Sequence, residues 1–152
     1  GHFVFCLNCY FHNLPHGSSV SPGGTGAAIC VFFSIFANIG IYGINAGGTT
    51  GVRVINCTFE AIGTTGFYYA GVGTSLINNT FSNCVNSGIN SVASVVMNNN
   101  FFGCGTPWIG GTFNPIDNNT FVAPQFVTPG SNYALQRTSG LIDRAFSMRL
   151  GV

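Results

Sequence analysis

Six short segments of this chain superimpose on one template: apolar, any residue, Asn, Asn or Cys, small or polar, Phe. They are residues 6–11, 31–36, 54–59, 76–81, 96–101 and 116–121, and the closing Phe recurs after 25, 23, 22, 20 and 20 residues. A period of that length without helical spacing describes one turn of a β-solenoid, in which each coil hydrogen-bonds to the next at roughly 4.8 Å. The spacing therefore predicts stacked coils, each needing inward-facing apolar columns.

Counted from the template Phe, three such columns are legible. Val54, Leu76, Val96 and Ile116 stand five places before it; Leu14, Ile39, Ile62, Cys84 and Cys104 three after; Ile44, Phe67, Ile89 and Ile109 eight after. Several separated columns per coil describe a prism whose faces are short parallel strands. The Asn column (Asn8, Asn56, Asn78, Asn98 and Asn118, interrupted by Phe33) predicts a corner, because Asn tolerates a left-handed backbone and its amides can hydrogen-bond from coil to coil. Gly43, Gly66 and Gly88, seven places after the Phe, are expected to mark a second corner through their conformational freedom. The fold class expected is all-β: a single-domain parallel β-helix of about five to six coils. The coils span residues 1–122 and a tail, 123–152, covers the last coil or a face. Right-handed coiling is expected from the handedness of parallel crossovers.

The run Leu76-Ile77-Asn78-Asn79-Thr80-Phe81 and its relatives resemble the repeats of right-handed parallel β-helices of the pectate-lyase-like superfamily. The segment from Asn132 to Asp143 is similar to the Y-x-L-x-x-x-S-P-x-I-D segment that closes such helices in bacterial surface proteins, with Gly140 where that segment has Pro. The resemblance implies a fold shared by lyases, hydrolases, adhesins and phage proteins alike, so function has to be argued from the residues. The first template segment starts within a coil with no leader or capping helix before it, which leads us to expect a processed product or a piece of a longer chain.

Charge is scarce: 5% of residues, no Lys, and a net charge of +1. Phosphate recognition needs clustered cations, so nucleic acid is not an expected partner. No apolar run reaches membrane-spanning length. A surface so poor in charge lacks the usual defence against association, which points to work inside an assembly or against a surface.

Catalysis in the style of the resemblance would need paired or calcium-clustered carboxylates. The acids are Glu60, Asp117 and Asp143, separated along the chain and expected to be isolated surface charges, with Arg53 as a candidate ion-pair partner for Glu60. No catalytic residue and no cofactor is therefore assigned. Cys6, Cys9, His12 and His16 have zinc-ligand types, but Pro15 prevents a helix between the histidines and Cys6 falls in the core column, so no metal is assigned either. Cys84 and Cys104 share a column on successive coils, close enough for a candidate disulfide or for a pair of reduced core thiols. The three N-glycosylation sequons at Asn56, Asn78 and Asn118 fall on the ladder column, which accounts for them without a sugar.

Strand alternation turns Leu7, Phe32, Ile55, Ile77, Met97 and Asp117 outward, and five of the six are apolar. Such a stripe implies a partner-binding face. Tyr42, Tyr68, Tyr69 and Trp108 are candidate sugar-stacking rings in different columns, and the threonine pairs do not recur as an ice-binding array would. The expected function is a non-enzymatic structural or adhesive element of an extracellular, cell-surface or viral assembly, self-associating as an oligomer or filament. A carbohydrate-active β-helix, or a protein binding glycan or ice, is the alternative.

Overall fold

The computed structural model describes residues 3–20, 26–69, 73–92, 95–111 and 118–141. Ile116, Asp117, Ile142, Asp143, Arg144, Phe146 and Arg149 lie outside the described residues. The first coil carries β1 (Phe3–Leu7), β2 (Tyr10–Leu14) and β3 (Ser18–Val20). The second carries β4 (Ala28–Phe32), β5 (Ile35–Ile39) and β6 (Tyr42–Asn45), and the third β7 (Val52–Ile55), β8 (Thr58–Ile62) and β9 (Thr65–Tyr69). The fourth carries β10 (Thr74–Ile77), β11 (Thr80–Ser82) and β12 (Ser87–Ser91), and the fifth β13 (Val95–Met97), β14 (Asn100–Phe102) and β15 (Thr106–Ile109). A hairpin follows, β16 (Phe126–Thr128) and β17 (Asn132–Leu135), and no helix occurs among the described residues.

The first strands of all coils pair as sheet A (β1-β4-β7-β10-β13), the second as sheet B and the third as sheet C, each five-stranded and parallel. The molecule is a parallel β-solenoid. Five strands per sheet make about four turns from first to last, fewer than the five to six coils expected. The difference lies in the sixth template segment, which among the described residues adds no strand to the three sheets and joins the coil before it through the isolated bridge Asn100 to Thr120 and the side chains of Asn118 and Asn119.

The template Phe residues form the spine of the interior. Phe11, Phe36, Phe59, Phe81 and Phe101 stack ring on ring, with centroids 4.9, 4.7, 4.7 and 5.2 Å apart. That spacing is the inter-strand distance itself, so backbone pairing and ring stacking reinforce each other. Val31, Val54, Leu76 and Val96 line sheet A from inside, and Ile39, Ile62 and Cys84 line sheet B, all buried. In sheet C the inward column is Val20, Ile44, Phe67 and Ile89, and then Trp108 rather than the expected Ile109, because Ile89 pairs with Trp108 and Ile109 with Asn90.

Gly43, Gly66 and Gly88 are not corners. They lie in β6, β9 and β12, and none has a positive φ. A Cβ built on Gly66 would stand 2.6 Å from Phe81 Cδ1, and Gly43 and Gly88 meet Phe59 and Phe101 in the same way. Each glycine therefore makes room for the Phe of the next coil.

The corner between sheets A and B is the Asn corner. Asn8, Phe33, Asn56, Asn78, Asn98 and Asn118 all adopt the left-handed conformation, with φ between 50° and 61°. Their side chains form an outer, partly exposed ladder, in which Asn78 donates to Asn56, and Asn118 to Asn98 at 3.1 Å. The fully buried ladder is one residue later. Asn99 Nδ2 donates to Leu76 O at 2.8 Å, and its Oδ1 accepts the Asn79 backbone N–H at 2.9 Å; Asn79 does the same to Val54 O and Cys57 N. Asn119 repeats the pattern with Val96 O and Asn99 N, and Cys57 and Ser34 fill the column with thiol and hydroxyl in the earlier coils.

Four substitutions test this arrangement. Asn99→Ala orphans two buried backbone groups and is expected to cost roughly 1–3 kcal/mol, whereas Asn98→Ala costs less because its amide reaches water. Gly66→Ala forces the Phe stack apart and is expected to cost about 1–3 kcal/mol. Phe33 occupies the left-handed corner while 56% exposed, so Phe33→Asn relieves strain of order 1 kcal/mol and is expected to raise the melting temperature. Chemical denaturation of the four variants checks all of these; an Asn98→Ala loss equal to that of Asn99→Ala would remove the inner-ladder assignment.

Candidate functional site

Two outer faces of the prism carry apolar side chains, and the chain treats them differently. On sheet A, Leu7, Phe32, Ile55, Ile77 and Met97 are directly paired from strand to strand, a single column across all five strands. They lie outside the core column and are half-buried, apart from Leu7, which is exposed. Phe3 (63% exposed) and Phe5 (55%) extend the stripe at the first strand, and Phe5 packs on Phe32 with centroids 5.8 Å apart. A shallow groove of about 380 Å³ lies alongside, lined by Phe3, Cys30, Arg53 and Ser75 among others.

On sheet B the outward Ile35 and Ala37 lie under the tail, while Tyr10, His12 and Phe102 are exposed. Phe126 of β16 and Tyr133 of β17 are buried against Ala37, with Ile35 and Leu135 beside them, and Tyr133 meets the Tyr10 ring edge-on. The hairpin is held by its own polar contacts: Ser139 Oγ donates to Pro124 O at 2.6 Å, Gln136 Nε2 to Phe126 O at 3.0 Å and Gln136 N to Gln125 O at 2.8 Å. Of the residues that carry the resemblance of the tail, Tyr133 and Leu135 dock it on sheet B and Ser139 ties it to its own Pro124. Leu141 is half-buried and, with Leu135, flanks a groove of about 230 Å³ beside Asn56, Asn78 and Asn98.

Glu60 is not the isolated surface charge expected. It stands in the outward column of β8 between Ala37 and Ser82, is only 7% exposed, and accepts a hydrogen bond from Asn83 Nδ2 at 2.8 Å. Its other oxygen, Oε2, is buried without a partner. Arg53 is exposed on sheet A, around the corner from Glu60 on sheet B, so the two are on different faces.

Cys84 and Cys104 occupy adjacent rungs as free thiols. The hydrogen bond to Cys104, followed by burial, pushes the Cys84 thiol well above its ordinary range, which keeps it unreactive. Burial likewise pushes Cys57 up to about 12. Cys6 is partly buried against the core, whereas His12 is exposed and stacks on Tyr10, so the zinc-like spacing does not converge; among the described residues no three His, Cys, Asp or Glu side chains cluster. Of the four candidate sugar-stacking rings, Tyr69 is buried with its hydroxyl donated to Thr49 O, and Trp108 packs on the core and donates Nε1–H to Ser91 O. Tyr42 and Tyr68 stack on each other at 5.0 Å.

Among the described residues no helix is long and apolar enough to cross a membrane. No family model, curated protein or solved structure matches the chain.

Burial, followed by the negative charge available to Tyr10 and Glu60, raises the Tyr133 hydroxyl from 10.0 to about 12. A raised phenol favours the folded state below pH 10, and that contribution disappears as the pH passes through 12. Absorbance titrations at 295 nm of the protein and of Tyr133→Phe should differ by one phenol ionising at about 12. A difference centred near pH 10 would show that the hairpin leaves Tyr133 in water.

Proposed function

We propose that this chain is a non-enzymatic structural or adhesive element that self-associates through the outer face of sheet A. In this reading it is a member of the pectate-lyase-like β-helices, of the non-catalytic secreted or surface type, and works in an extracellular, cell-surface or viral assembly. The observation that carries the proposal is the contrast between faces. The middle of the outer surface of sheet B, around Ile35 and Ala37, is covered by the chain's own hairpin, with Tyr10 and Phe102 exposed on its edge strands, while the in-register stripe Leu7, Phe32, Ile55, Ile77 and Met97 has no such cover among the described residues.

A continuous apolar column on a rigid sheet suits a partner that presents the same feature, and a second copy of the solenoid does so by symmetry. Few charges oppose the approach: Arg53 is the one charged side chain on this face among the described residues. Supporting a non-enzymatic reading, the chain has only three acids, and Glu60 shares its face with no second carboxylate among the described residues.

Replacing Ile55 and Ile77 together by Asp tests this. Sedimentation of the unmodified protein is expected to show mass rising with concentration, and the double variant to remain monomeric with an unchanged circular-dichroism spectrum and melting curve. An unmodified protein that stays monomeric at its solubility limit would sink the proposal, and so would a double variant that still associates.

A further inference from the structure

A groove of about 380 Å³ separates the outer face of sheet B from the tail. At about 30 Å³ per water it has room for roughly ten waters or one small organic molecule. Glu60, Ser82 and Phe102 form its floor; Pro124, Phe126 and Gln136 stand opposite. At its base the Glu60 carboxylate is more than nine-tenths buried, with Oε1 taken by Asn83 and Oε2 free of any hydrogen-bond donor.

A carboxylate accepts and cannot donate, and one removed from water with unfilled lone pairs and no counter-charge is costly. Nothing described in the chain meets that need. There is no lysine, and the two described arginines, Arg53 and Arg137, are both exposed. The walls narrow the choice of ligand. Phe102 and Phe126 present aromatic rings and Pro124 an apolar ring, surfaces suited to a cation on a hydrocarbon stem. A hard divalent ion wants six or more oxygen ligands, several of them charged, and this groove offers a single carboxylate.

We propose that the groove between sheet B and the tail hairpin is a binding site for a small organic cation, whose ammonium group pairs with the Glu60 carboxylate and whose alkyl part lies against Phe102 and Phe126. The site is independent of self-association on sheet A. Binding brings no change in covalent bonds; the ammonium donates N–H to the carboxylate and its stem displaces water from the rings.

The probe is n-butylammonium chloride, added to the 152-residue chain at constant ionic strength and followed by the side-chain amide resonances of Asn83 and Gln136. Saturable shifts at both are expected, with no comparable response to n-butanol or to calcium chloride. Glu60→Gln keeps the acceptor for Asn83 and removes the charge, and it should weaken butylammonium by roughly tenfold or more. Phe102→Ala should weaken it several-fold while leaving the charge in place. Absence of saturation, an equal response to n-butanol, a response to calcium that displaces the amine, or unchanged affinity in Glu60→Gln would each overturn the site. Should Glu60→Gln fail to fold, the comparison of butylammonium with n-butanol and the Phe102→Ala variant still decide.

Discussion

The amides buried just inside the first corner hold this molecule together in a way that its apolar columns cannot. Each turn from sheet A into sheet B exposes a backbone N–H and a carbonyl to the interior, where no water reaches them. Asn79 and Asn99 answer both at once, accepting from the corner N–H of the preceding coil and donating to the carbonyl of that coil's inward Val or Leu. Because each amide serves the coil before it, the bonds run along the axis and lock the phase of one coil to the next. The left-handed residue just before each buried amide, φ 61° at Asn78 and 56° at Asn98, aims the side chain inward.

Once that phase is locked, the remaining geometry follows with little freedom. The Phe rings fall at the coil spacing and stack, and glycine is required opposite them because a side chain would occupy the space of the next ring. Inward columns imply outward ones, since alternation sends neighbouring residues to opposite faces. The stripe of sheet A and the buried carboxylate of sheet B are therefore consequences of the same phase. One is left at the surface and the other is covered, because the tail hairpin lies against sheet B.

Much of this was legible in the residues. The template Phe column, the Val54, Leu76 and Val96 column and the outward position of Ile55, Ile77 and Met97 all follow from a period near 22 combined with alternation, both of them local properties of the chain. Less legible was the division of labour within each Asn pair. Asn78 and Asn79 are the same residue type in adjacent positions, and only the αL backbone at Asn78 decides that Asn79 points inward. The role of Gly66 was misread for a related reason: glycine signals either backbone freedom or lack of volume, and only the position of Phe81 tells which. In the last coil, Trp108 enters the core in place of Ile109 through a shift of one residue that spacing alone cannot register.

Taken by itself, the sequence determined the repeat, the parallel coils and the set of side chains that face inward, because these depend on short-range alternation and on a period the chain repeats again and again. Tertiary structure decided what lies on top of the coils. Phe126, Tyr133 and Ser139 lie far along the chain from Ala37 and Glu60, and no periodicity links a non-repeating tail to one of three similar faces. Which face it covers depends on complementary shape, Phe126 and Tyr133 fitting over the small Ala37 side chain, and on hydrogen bonds within the tail. That choice leaves sheet A open and buries Glu60 at the base of the groove under the tail. Burial of that kind is a property of two distant surfaces together, which is why neither segment alone carried a sign of it.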